Sequence, residues 1–162
     1  MKITGTILYC LLSLQIAAIG QTYPVTVSIT TPEKAVKSGS EIRVNITVTN
    51  NSDETVRTPK VLGLDRQGGQ PESANGIDVT DSKGQPLRRL PGHQSWLSQA
   101  LKALKPGDSD EDFLILTKLF DLSKPGQYTV GVRHEIMEPD ESEDGFKRIF
   151  VPSNSISITV TD

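Results

Sequence analysis

The chain has 162 residues with 17 basic and 20 acidic side chains, a formal net charge of -3. No net positive field exists to gather phosphate backbones, which removes nucleic acid from the expected partners. Apolar residues make up 35% and aromatic residues 5%, enough for one lean core at a length that fits a single domain.

The first segment, residues 1–20, reads as a signal peptide. Lys2 gives a positive start, residues 7–19 are mostly apolar, and Ala18 and Gly20 put small residues at the minus three and minus one positions of a cleavage site. Thr4, Thr6, Ser13 and Gln15 interrupt the apolar run, leaving it short of the roughly 20 residues a bilayer span needs. Export with cleavage before Gln21 is therefore expected, with no membrane span left in the mature chain. The single cysteine, Cys10, falls inside this segment, so residues 21–162 hold no thiol for a disulfide, a zinc site or a nucleophile.

Period two then dominates. "VTVSIT" alternates at Val25, Val27 and Ile29, and "EIRVNITVTN" alternates at Ile42, Val44, Ile46 and Val48, which sends one set of side chains to a core and the other to water. Turn residues separate the runs: Thr31-Pro32, Ser38-Gly39, residues 50–53, Pro106-Gly107 and Pro125-Gly126 each read as a chain reversal. Two sequons, at Asn45 and Asn50, accompany the second run. Residues 63–76, rich in glycine, read as a long surface loop of the kind that carries recognition.

"IDVTDSKGQPL" reads as a hairpin turning at residues 81–84, and "WLSQALKAL" is the best helical candidate, of at most two turns. Trp96 within it is either a core anchor or an exposed platform for sugar or peptide. The acidic run "DSDED", residues 108–112, precedes the strand "DFLILTKL" and guards an aggregation-prone segment with like charge.

In "KPGQYTVGVRHEI", Tyr128 follows a turn at Pro125 and Gly126 and leads an alternating face with Val130, Val132 and His134. Its ring can be buried while its hydroxyl bonds back to the backbone upstream and ties the corner shut. The acidic run of residues 138–145 places Asp140, Ser142, Asp144 and Gly145 as in the first half of a calcium loop. The second half does not follow, because Val151 stands where a bidentate Glu belongs. A solvated hairpin tip between the last two strands is the favoured reading, with weak calcium binding at Asp140, Ser142 and Asp144 the alternative and no other cofactor expected. "SISITV" closes the chain as a strand much like the first.

His93 and His134 are the only histidines; their spacing suits no structural metal site, and no serine carries a nucleophile-elbow signature. His93 is expected in a loop and His134 at a strand end. No enzyme is expected.

The corner makes the chain resemble the immunoglobulin-like sandwiches, with Val130 in the place of their second cysteine. "NITVTNNS", "LKPG" and "PGQYTV" are also similar in layout to bacterial modules that include the intracellular proteinase inhibitor domains, from which an export signal sets this chain apart. The resemblance implies an all-β, immunoglobulin-like antiparallel β-sandwich of about seven to nine strands over residues 21–162, without a disulfide. The resemblance also suggests a bacterial source; with the export signal and no catalytic signature, the expectation is a secreted, periplasmic or cell-envelope module that acts on an unidentified protein or envelope component through loops 63–76 and 138–145, singled out by length, charge and exposure. The alternative implied by the inhibitor resemblance is a proteinase inhibitor, with a protease as partner.

Overall fold

The computed structural model describes residues 23–59, 75–91, 101–139 and 145–162. The strongest alternation in the sequence becomes strand β3 (Arg43–Asn50), with β1 (Val25–Thr30) antiparallel on one side and β7 (Ser109–Ile115) antiparallel on the other. In this three-stranded sheet Val44, Ile46 and Val48 turn inward and are essentially inaccessible, while Arg43, Asn45, Thr47 and Thr49 face out. Burying such β-branched side chains contributes about 1.5 to 3 kcal/mol each relative to leaving them in water.

The opposing sheet is built on β8 (Gly126–Pro139). One of its sides is taken first by β10 (Ile156–Thr161) and then by β9 (Phe146–Pro152); the other is taken by β5 (Asn75–Thr80) and β4 (Val56–Pro59). Between β9 and β10, Ser153, Asn154 and Ser155 oppose only Gly131 and Val132, a bulge of one extra residue on the β9–β10 side. Ser153 bridges the gap, its amide donating to the Val132 carbonyl at 2.8 Å and its hydroxyl accepting from the Val132 amide at 3.0 Å. The outer positions belong to β2 (Ala35–Lys37), beside β10, and β6 (Leu101–Leu104), beside β4.

The two sheets close on one hydrophobic cluster that includes Ile29, Ile46, Leu104, Leu116, Phe120, Val130 and Ile158. The architecture is a two-layer β-sandwich. Among the described residues there are ten strands, more than the seven to nine expected, and no helix is long and apolar enough to cross a membrane. The sandwich is not wholly antiparallel, because β2 runs parallel to β10. This short strand, with only Val36 buried, carries too little periodicity to be read from the sequence.

Turn chemistry behaves as expected at the Lys105 to Asp108 reversal, where the Asp108 amide donates to the Lys105 carbonyl at 2.9 Å and Gly107 takes φ +81. Pro at the second and a positive-φ glycine at the third position are what a type II turn requires. The hairpin turn at residues 81–84 also forms, closed by the Gly84 amide donating to the Asp81 carbonyl at 2.9 Å.

Several local expectations change. "DFLILTKL" is not one strand: β7 ends at Ile115, and a single 3-10 turn over Leu116–Lys118 buries Leu116. That turn explains why apolar residues there ignored period two. The acidic run lies mostly inside β7, at the edge of its sheet, rather than ahead of it. The Phe113 amide is capped by the carboxylate of its own neighbour Asp112 at 2.7 Å, which blunts a strand edge. Leu101–Leu104, the end of the helical candidate, is strand β6, because pairing with β4 overrides a weak local preference. His134 lies well inside β8, not at a strand end, and β8 is followed by two strands rather than one.

The free side of β1 is capped by Asn154. Its amide group accepts from the Ile29 amide at 2.8 Å and donates to the Ile29 carbonyl at 3.0 Å, so a side chain takes the place of a neighbouring strand.

Candidate functional site

The outer face of the three-stranded sheet is polar and well ordered by cross-strand contacts. Arg43 of β3 holds its guanidinium carbon 3.7 Å from the centre of the Phe113 ring on β7, a close cation–π contact. Its Nε donates to Asn45 Oδ1 at 2.8 Å, which fixes the guanidinium over the ring. Phe113 remains 43% exposed, one of three large apolar side chains at the surface among the described residues. Beside it lies an open depression of about 600 Å³, lined by Thr30, Arg43, Asn45, Thr47, Glu111 and Phe113 among others. These groups can donate and accept hydrogen bonds and present one aromatic edge, which suits recognition and offers no nucleophile poised beside a base. The sequence signal for this face was only the solvent half of a period-two pattern, so Phe113 was not singled out.

The corner of Tyr128 is formed by the turn through Pro125 and Gly126. Its ring is buried, and its hydroxyl donates to the Lys124 carbonyl at 2.8 Å. Desolvation, and secondarily the carboxylates of Asp121 and Asp81, push the phenol pKa up, so the proton needed for that bond is retained. On the opposite side of the turn, Asp121 Oδ1 accepts from the Ser123 amide and hydroxyl.

A second polar group lies between the sheets. Thr58 of β4 and His134 of β8 are both fully buried, and the Thr58 hydroxyl is hydrogen-bonded to His134 Nε2. His134 Nδ1 is buried without a hydrogen-bond partner. Desolvation depresses the imidazole pKa to about 4, outweighing the attraction of Asp110. Asp110 of β7 is instead paired with Lys102 of β6, a contact that clips the two sheets together at their edges. The hydroxyl and imidazole resemble part of a catalytic triad, but Nδ1 has no carboxylate hydrogen-bonded to it and both side chains are sealed from solvent. This pair is a structural joint.

Asn50 is fully buried as well. Its Nδ2 donates to the carbonyls of Glu54 at 2.7 Å and Leu104 at 2.8 Å, and its Oδ1 accepts from the Ser52 amide at 3.0 Å. The sequon at Asn50 is thus committed to packing and closed to modification.

Asp140, Ser142, Asp144, His93 and Trp96 lie outside the described residues, as do residues 1–20 and most of the 63–76 loop. At the ends of the acidic run, Glu138 belongs to β8 and Gly145 leads into β9; β8 and β9 pair as far as Pro139 opposite Phe146. Residues 140–145 therefore join β8 to β9, not the last two strands of the chain. Among the described residues no cluster of three or more His, Cys, Asp or Glu side chains could hold a metal ion.

No family model matches this chain, and no curated protein matches it. Among solved structures it is similar to the ApaA protein from Bordetella pertussis, at 17% identity over 84% of this chain and 93% of that one, TM-score 0.49. It is also similar to AggA, the major subunit of aggregative adherence fimbriae type I from Escherichia coli, at 20% identity over 87% and 98%, TM-score 0.43. A CARDB domain from Pyrococcus furiosus, in complex with di-metal ions, is 13% identical over 85% and 87%, TM-score 0.43. The β-sandwich assignment rests on the strand pairing described above and not on these likenesses.

Proposed function

We propose that this protein is an exported, non-catalytic module of the immunoglobulin-like kind that binds a protein or envelope component. The observation that carries the reading is the outer face of the three-stranded sheet: an open depression beside a partly exposed Phe113 whose ring is held by Arg43. A rigid aromatic beside convergent polar groups is a common anchor in recognition surfaces. Export rests on the pattern of residues 1–20. The loops at residues 63–76 and 138–145 extend the candidate surface in this reading.

Site-specific photo-crosslinking in native envelope and culture fractions tests it. A photoreactive residue at position 113 is expected to yield discrete adducts, and the same residue at Thr129, exposed on the outer face of the other sheet, is expected to yield none. Identical adduct patterns from the two positions would overturn the assignment of this face. The proteinase inhibitor alternative needs an exposed loop held rigidly in a protease cleft; the glycine-rich composition of residues 63–76 argues against it, and nothing in the described residues favours it.

A further inference from the structure

The attachment of β4 to β8 is unusual for the sheet. β5 pairs with β8 continuously, from Asn75 opposite His134 to Thr80 opposite Thr129, whereas among the described residues β4 meets β8 through the single pair Arg57 and Met137. Side chains take over what the backbone ladder does not supply. The Thr58 hydroxyl bonds His134 Nε2 and lies 3.2 Å from the Pro59 carbonyl and 3.4 Å from that of Glu135. The other end of the β4 and β6 pair is fastened independently: Val56 and Leu104 are in the core, and Asn50 holds the carbonyls of Glu54 and Leu104. One end is fixed by core packing and by Asn50 and can act as a hinge; the other is held by the Thr58–His134 hydrogen bond together with the Lys102–Asp110 ion pair to β7.

We propose that Thr58 and His134 form an acid-opened latch: the neutral imidazole fastens β4 and β6 to the distal half of β8, and protonation releases this flap while the rest of the sandwich stays folded. A neutral imidazole has one N–H and one lone pair, and here only Nε2 is used. Protonation makes both nitrogens donors, which leaves a buried N–H at Nδ1 and a sealed positive charge without a counter-ion in contact.

The charged groups around the latch do not rescue it. From β7, Asp110 attracts the imidazolium but is committed to Lys102 of β6, and Asp112 accepts from its own strand's Phe113 amide. Glu135, on the opposite face of β8, points to Arg148 of β9, whose Nε is 3.4 Å from Glu135 Oε1. Thr58 of β4 is neutral. Opening to water relieves the charge, so a proton favours the open form. The sign follows: the imidazole pKa is depressed from 6.5 to about 4 when closed, so closure is fully favoured above 6.5, weakens as pH falls toward 4, and levels off below.

Hydrogen exchange of the full mature chain at pH 7.0 and 4.5, corrected for intrinsic exchange rates, tests the latch. Residues 56–59 and 101–104 are expected to lose protection on the order of fifty-fold at pH 4.5, with β1 and β3 unchanged. In His134→Leu the loss is expected to vanish. Equal protection at both pH values, loss spread evenly over all strands, or an unchanged acid loss in His134→Leu would each overturn the proposal. Should His134→Leu not fold, His134→Gln serves in its place. NMR titration of the wild-type imidazole, assigned with His93→Gln, gives an independent reading: a midpoint near 4 supports the latch, and one near 6.5 overturns it.

Discussion

The proximal half of β8, residues 128–132, and its distal half, residues 134–139, belong to one strand and are built by opposite means. The proximal half buries Tyr128, Val130 and Val132, is paired by β10 on one side and β5 on the other, and is tied at its start by the Tyr128 corner. The distal half buries His134 and Glu135 as well as Ile136, is paired by β9, and holds β4 mainly through Thr58. Apolar burial is indifferent to proton concentration, while a buried imidazole with one unpaired nitrogen is not. The bulge at residues 153–155 faces Gly131 and Val132, at the end of the proximal half, so the change of partner strand from β10 to β9 adjoins the change of chemistry.

Breaking the proximal half is expected to have the largest effect. Val130 is completely buried, so Val130→Asp places an unpaired carboxylate in the core at a cost of about 4 kcal/mol or more, a large share of a domain's stability. Far-UV circular dichroism is expected to show loss of the strand spectrum at 37 °C; a melting temperature near wild type would show that the proximal half is not the common foundation of the two.

The distal half separates from it by pH. Between pH 6.5 and about 4 the unfolded chain takes up a proton that buried His134 refuses, and the wild type is expected to lose about 3 kcal/mol beyond any loss in His134→Leu. Urea unfolding of the two proteins side by side measures the difference, and parallel pH curves would erase the contrast between the halves.

The smallest effect is expected at the corner. Tyr128→Phe removes only the bond to the Lys124 carbonyl, at about 1 kcal/mol, or about 2 to 4 °C in melting temperature. The shift is expected to be the same at pH 7 and pH 5; a pH-dependent shift would mean that the corner and the histidine joint are coupled.

Much of the sandwich was legible because alternation is local. Val44, Ile46 and Val48, like Val25, Val27 and Ile29, declare an inward face through spacing alone, and Pro106-Gly107 announces a turn through its own backbone limits. Tyr128 was legible for a similar reason, since its partner carbonyl at Lys124 lies four residues upstream. The interaction face was not. Arg43 and Phe113 are far apart in the chain and meet only because β3 and β7 pair with Asn45 opposite Phe113.

The sequence by itself determined the all-β character, the inward faces of the long strands, the main reversals and the absence of thiol chemistry after Cys10. Each of these follows from side-chain period, backbone stereochemistry or residue type, all readable over a few adjacent positions. Tertiary structure alone decided the parallel place of β2 against β10, the strand state of Leu101–Leu104, the burial of Asn50 and the meeting of Thr58 with His134. Those outcomes depend on which distant strands become neighbours, and a polar residue reveals whether it is solvated or sealed only once the opposite wall is in place.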